Sequence, residues 1–272
     1  MNRLNRFLSK ITLVALTVLC VATVRAAEAD HLQAFPGAEG WGAVSRGGRG
    51  GRVIKVTNLN TSGPGSLAEA CAAEGPRIVV FDVSGVIRGN IRITNPYITI
   101  AGQTASATDP RGAGITVEGV ISSYDYGVHD VIIRHLRVRP CRGIGAGGDC
   151  LQLGGRGPTN SGTFNLMLDH LSLSWGNDEM IDLYHSHHVT LQWCTIEESD
   201  DTGHSKGPHN FGMISAAEDS GAVSVHHLNA NDPSDAARIV APGESIGDRH
   251  LGYSFIEFHL NELADNLSPS MR

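Results

Sequence analysis

Between Gly148 and Lys206 the chain gathers residues that could do chemistry together. Asp149 follows a pair of glycines, and Asp169 precedes His170. Asn177, Asp178, Glu179 and Asp182 fall in one short run, and His204, Ser205 and Lys206 close the stretch. Carboxylates offer hard oxygen donors, which suit a flexible divalent cation such as Ca2+ with its roughly six to eight oxygen ligands. A lysine beside such a cation suits an anionic substrate, of which an acidic polysaccharide is the natural example. Plainer readings exist for each residue. Asp149 could be a turn aspartate in a glycine-rich loop, Asp178 and Asp182 solvated loop acids, and Lys206 a lone surface lysine. Asp169 alternates outward from Leu166, Leu168 and Leu171, so it could support the cation, face a cleft or make structural hydrogen bonds.

The elements that would have to position these groups read as strands. Short apolar runs rich in β-branched residues occupy 53–57, 77–83, 97–100, 131–138, 166–173, 189–196 and 223–228, separated by turn residues. The runs starting at 131, 166, 189 and 223 share apolar residues at their first, third and sixth positions. Such a repeat with insertions of variable length predicts an all-β right-handed parallel β-helix, in which each rung buries its apolar face only by stacking on its neighbours. A β-sandwich or jelly roll is the alternative, but neither needs in-register repeats. One helix is expected over 66–73, opened by the Ser66 side chain after Gly63-Pro64-Gly65.

The ends differ from the middle. Arg3, Arg6 and Lys10 precede an apolar run over 11–24 and small residues near 26, the pattern of a secretory signal over 1–26. The remainder divides into a β-helix domain over 34–230 and an atypical tail over 231–272. A net charge of −7 with 18% charged residues offers no basic cluster for nucleic acid. A secreted or periplasmic monomer, free of the membrane once its signal is cleaved, is expected. Cys71, Cys141, Cys150 and Cys194 lie beyond the signal. An exported chain could pair them, with a small Cys141–Cys150 loop as one option and four free buried thiols as the other.

Several motifs resemble the pectate lyase family. They are Ala34-Phe-Pro-Gly-Ala-Glu-Gly-Trp-Gly42, Gly47-Gly-Arg-Gly-Gly-Arg52, Val56-Thr-Asn-Leu-Asn60, Ser62-Gly-Pro-Gly-Ser-Leu67, Arg77-Ile-Val-Val-Phe-Asp-Val-Ser-Gly85 and Ile98-Thr-Ile-Ala-Gly-Gln-Thr104. Asp169-His170, Ser174-Trp175-Gly176 and His204-Ser-Lys-Gly-Pro-His209 continue the match, which covers about residues 34–227. The resemblance implies a parallel β-helix, an exported enzyme, Ca2+, and β-elimination of polygalacturonate. It also implies Asp149, Asp178 and Asp182 as metal ligands and Lys206 as a substrate-binding residue. The family often carries a second acid two residues before the first ligand. Here that position is Gly147, and Glu179 is the nearby substitute, although neighbours on a strand point to opposite faces.

After His227 the pattern departs. The family's base is an arginine in an Arg–Pro–Arg setting, and the nearest match, Arg238, stands two positions late without that setting. Either the reading frame shifts near residue 228 and leaves a truncated lyase, inactive as encoded, or a shortened β-helix binds carbohydrate without cleaving it. A polygalacturonase-type hydrolase is a weaker reading of Asp200-Asp201 and Gly203-His204, because hydrolysis needs two opposed carboxylates at a set separation.

Overall fold

The computed structural model describes residues 32–105, 114–140, 148–155, 162–206 and 210–214, and the strands Ile256–His259 and Glu262–Ala264. In chain order the strands are β1 (Arg52–Val56), β2 (Arg77–Phe81), β3 (Gly85–Arg88), β4 (Ile91–Arg92), β5 (Ile98–Ala101), β6 (Ile115–Glu118), β7 (Ile121–Ser122), β8 (His129–Arg134) and β9 (Leu136–Val138). They continue with β10 (Leu151–Gln152), β11 (Phe164–Asp169), β12 (Ser172–Ser174), β13 (Glu179–Asp182), β14 (His187–Gln192), β15 (Thr195–Glu197), β16 (Phe211–Ile214), β17 (Ile256–His259) and β18 (Glu262–Ala264). The one α-helix among the described residues is α1 (Leu67–Ala72).

Every pairing is parallel, and the strands sort into three sheets that the chain visits in turn. Sheet one runs β1-β2-β5-β8-β11-β14-β17, sheet two β3-β6-β9-β12-β15-β18 and sheet three β4-β7-β10-β13-β16. This is the expected parallel β-helix. The apolar repeat is in register: Leu166 pairs with Val131 and Val189, and Leu168 with Ile133 and Leu191. These side chains lie in one buried core with Val138, Leu151, Leu173, Ile181 and Ile196 from the other two sheets. The expected strand at 223–228 lies outside the described residues, as do the signal segment, Cys141 and Arg238. The tail supplies β17, which pairs with β14, and β18, which pairs with β15. The alternating Tyr253–Phe258 run is long enough for one strand, and an open rung exposes an edge that pairing removes. Among the described residues no helix is long and apolar enough to cross a membrane.

The corners between sheets one and two are turned by His135, His170 and Trp193, all with φ between 53° and 55° for the first two and 55° for the third. Left-handed backbone is uncommon for such bulky residues, yet here it recurs at the same place in three rungs. His135 and His170 stack with centroids 4.5 Å apart, and Trp193 continues the pile. A second pile of Tyr97, His129, Phe164 and His187 runs where the chain enters sheet one. Equivalent positions in successive rungs therefore add side-chain stacking to the backbone ladder.

Two devices close the solenoid. Helix α1 covers its first end, placing Leu67, Ala70 and Cys71 in the core, and Ser66 Oγ accepts from the Glu69 N–H at 3.2 Å as an N-cap. Arg77, fully buried, fixes the helix to the first rungs. It donates to the carbonyl oxygens of Ala70 (3.0 Å), Cys71 (2.7 Å), Gly75 (3.1 Å), Asn95 (3.1 Å) and Pro96 (2.9 Å). The second device is the glycine-rich segment before β1, which crosses the outer face of sheet one. Gly42 donates to Thr190 Oγ1 at 2.8 Å, and a methyl group at Gly42 would overlap the Leu166 carbonyl and the Thr190 nitrogen. Ala38 packs there on outward-facing Ile132 and Met167.

Arg77→Leu would leave five carbonyls without this donor, those of Ala70 and Cys71 buried and the other three partly so. We expect a loss of about 3 kcal/mol or more, read as a lower urea midpoint at unchanged slope. Arg77→Lys is not expected to restore it, because an ammonium cannot reproduce the planar five-donor fork.

Candidate cation and substrate site

The connections that take the chain from sheet two to sheet three, with the strand starts that follow them, carry the acidic residues. Asp149 lies just before β10, while Asp178 and Glu179 lie at the start of β13 one rung further on. The two rungs are tied by backbone. Asn177 N–H donates to Gly148 O (3.2 Å), Gly148 N–H donates to Asn177 Oδ1 (2.8 Å), and Glu179 N–H donates to Asp149 Oδ1 (3.0 Å). Asp149, Asp178 and Glu179 each present a carboxylate oxygen within 4.8 Å of the others. Asp149 is buried, whereas Asp178 and Glu179 are partly open.

Of the three expected ligands, Asp149 and Asp178 come together and Asp182 stands apart from that group of three. Asp182 lies at the far end of β13, about 3.3 Å per residue along an extended strand from Glu179. Its Oδ1 accepts from the Tyr184 N–H at 2.8 Å. Glu179 takes the third place. Strand alternation argued against it, but Asp178 belongs to the bend ahead of β13, so the alternation does not separate the two side chains. The signal that could have found Glu179 was its place at a strand start rather than inside a strand.

The cluster's electrostatics follow from crowding. Burial, then the charges of Glu179, Asp182 and Asp178, push the Asp149 carboxyl up to about 9. Burial and the neighbouring Asp178 and Asp182 push Glu179 up to about 7. Carboxylates this close cannot all ionise without a compensating charge. An all-oxygen donor set whose members resist ionisation together fits a hard cation such as Ca2+, with water or a substrate carboxylate filling the remaining positions.

The next rung brings the histidine–lysine turn to the same place. His204 Nε2 lies 3.6 Å from Asp178 Oδ2, and His204 Nδ1 accepts from the Lys206 N–H at 3.2 Å. With Nδ1 accepting, a neutral ring carries its proton on Nε2, facing Asp178. Lys206 is exposed on this turn. The place of His204 between the lysine's turn and the acidic cluster appears only in the fold.

Asp169 is a structural residue. It is fully buried at the end of β11 and accepts from Arg134 Nε (2.6 Å) and Gln192 Nε2 (2.8 Å), with His170 Nδ1 at 2.9 Å from Oδ1. Despite burial, these hydrogen bonds hold its carboxyl below the usual range. Cys71, Cys150 and Cys194 are buried thiols, and Cys150 Sγ donates to Ser174 O, while Cys141 lies outside the described residues. Asp200 accepts from the Thr202 N–H and hydroxyl within one turn, the geometry of a loop cap rather than of a paired acid.

Three parallel sheets wound as a solenoid, with a carboxylate cluster beside a histidine–lysine turn, define a parallel β-helix protein with a candidate cation site. Compared with known proteins, the chain is 43% identical over 198 residues to "Probable pectate lyase C" of Emericella nidulans, a match covering 72% of this chain and 42% of that protein. Its counterparts in Aspergillus fumigatus and Aspergillus flavus are 43% and 42% identical, each match covering 65% of this chain and 39% of the relative. The resemblance to the pectate lyase family therefore stands on these relatives, of whose length the chain spans about two-fifths. No family model matches the chain. The crystal structure of jun a 1, the major allergen from cedar pollen, is 20% identical with a TM-score of 0.44, covering 61% of this chain and 53% of that one.

The raised carboxyls make stability depend on pH. Without a divalent cation, a carboxyl whose folded value exceeds its unfolded one favours folding most below the unfolded value and loses that contribution as pH rises through the folded one. For Asp149 and Glu179 the window runs from about 4 to about 9. In chelator, thermal midpoints should therefore fall between pH 5 and pH 9. Asp149→Asn should flatten this slope and be the more stable protein at pH 9.

Proposed function

We propose that this chain is a Ca2+-dependent pectate lyase that cleaves polygalacturonate by β-elimination. The observation that carries the reading is the convergence of Asp149, Asp178 and Glu179 beside the His204–Lys206 turn. The identity of 42–43% to proteins named as pectate lyases supports it. Asp149, Asp178 and Glu179 would hold the cation, with Asp182 adding negative potential. When bound, Ca2+ would neutralise a galacturonate carboxylate and so make the neighbouring C5 proton more acidic. Lys206, exposed next to the cluster, binds the same or an adjoining uronate carboxylate. Arg238, outside the described residues, takes the C5 proton. The C4–O bond then breaks, a C4=C5 double bond forms and the leaving oxygen takes a proton from water. The Arg–Pro–Arg setting of the family's base is absent around Arg238 in the sequence, so turnover is slow. The leader pattern over 1–26 supports an exported protein acting on a polysaccharide outside the cell.

The test is to incubate the purified chain with polygalacturonate. A near-ultraviolet absorbance that grows in Ca2+ and is abolished by chelator is expected, and Asp178→Asn should reduce it by about a hundredfold. New reducing ends without that absorbance would make the protein a hydrolase. Binding with neither product would make it a non-catalytic carbohydrate-binding β-helix.

A further inference from the structure

The corner where the chain leaves sheet two carries a row of three residues at equivalent positions in successive rungs. Arg139 follows β9, Trp175 follows β12 and Glu198 follows β15. The middle one stands out by its exposure. Trp175 is half exposed, and like Glu198 one rung on it turns the corner in left-handed backbone, with φ 73°. The solenoid turn accounts for the backbone, but a large apolar surface held in water is poorly explained by folding alone.

The ring is held in place by its neighbours in the row. Its Nε1–H donates to Glu198 Oε2 at 3.3 Å, and the Arg139 guanidinium lies 5.6 Å from the ring centroid. The Trp175 N–H also donates to Glu198 O at 3.0 Å. Arg139 is itself fixed, donating to Val138 O, Ser172 O and Ser172 Oγ. The indole's one hydrogen-bond donor is thus already used, and what remains is an orientated π surface. Each rung that contributes to this row also contributes to the acidic cluster a few residues later: Arg139 leads to Asp149, Trp175 to Asp178, and Glu198 to His204 and Lys206.

We propose that Trp175 is a stacking platform for a pyranose ring of the acidic polysaccharide, alongside the cluster that binds its carboxylates. This rests on the reading of the chain as a polygalacturonate-binding protein. A sugar's C–H face suits a π surface that has no free donor. Trp193 provides an internal comparison, being equally exposed and also left-handed. It stacks on His170 at the other corner of sheet two, away from the carboxylates.

The test is calorimetric and fluorescence titration of the full chain with oligogalacturonate in Ca2+. Trp175→Ala should weaken binding about tenfold, the size of one aromatic contact, and Trp175→Phe should restore most of it. Trp193→Ala should bind as the parent does, and Ca2+ titration without sugar should be the same in parent and Trp175→Ala. The sugar-induced change in tryptophan emission should vanish in Trp175→Phe and persist in Trp193→Phe, a readout that holds even if the alanine variant folds poorly. Unchanged affinity in Trp175→Ala, or an emission change that persists in Trp175→Phe, overturns the platform and leaves the cation site standing. Weakened binding in Trp175→Ala with full binding in Asp178→Asn sustains the platform and sinks the cation site. No binding of oligogalacturonate by the parent protein overturns both.

Discussion

In-register parallel pairing is the constraint on which the rest of this molecule depends. Each rung satisfies its backbone polar groups only through the rungs above and below, so every rung must follow the same course and turn at the same places. That demand outweighs local preference. It holds His135, His170 and Trp193 in left-handed backbone that each would avoid alone, and sets their rings in a stack. It also explains the acidic cluster. Asp149 and Asp178 belong to different rungs 29 residues apart in the chain, and only stacking brings their carboxylates together.

The same constraint makes the ends of the solenoid special. A stack of rungs has two open faces, each with an unpaired edge and exposed core. At the first end, α1 and the Arg77 carbonyl network provide closure. Arginine without a carboxylate partner is a costly residue to bury, and five carbonyl acceptors are what make it tolerable. Toward the other end, two stretches of the tail extend sheets one and two by a strand each.

Much of this was legible in the residues. The apolar positions shared by the 131, 166 and 189 runs gave both the sheet and its register, because a solenoid core leaves a periodic trace. The Ser66 cap was legible for the same local reason. What escaped was whatever depends on where a strand begins or on contacts between distant rungs. Glu179 was held only as a substitute because strand alternation was applied one residue too early. Asp169 could not be assigned from its motif, since its partners Arg134 and Gln192 lie in the rungs on either side. The tail strands lacked the repeat's full signature and followed a long insertion, so they left no periodic trace.

The segment that carries Gly42 over sheet one has a consequence for how the molecule assembles. A solenoid with only neighbour contacts can fray rung by rung from either end, much as a zipper opens. Gly42 is bound to Thr190 and Glu39 to Gln192, roughly 150 residues away in sequence, across the face of several intervening rungs. That crossing acts as a latch. The stretch synthesised among the first cannot settle until β14 has formed, so loop closure of high contact order comes late in folding. Once shut, it ties β11 and β14 to the start of the chain, so fraying of these rungs must also release the latch and the central stack should open as one unit.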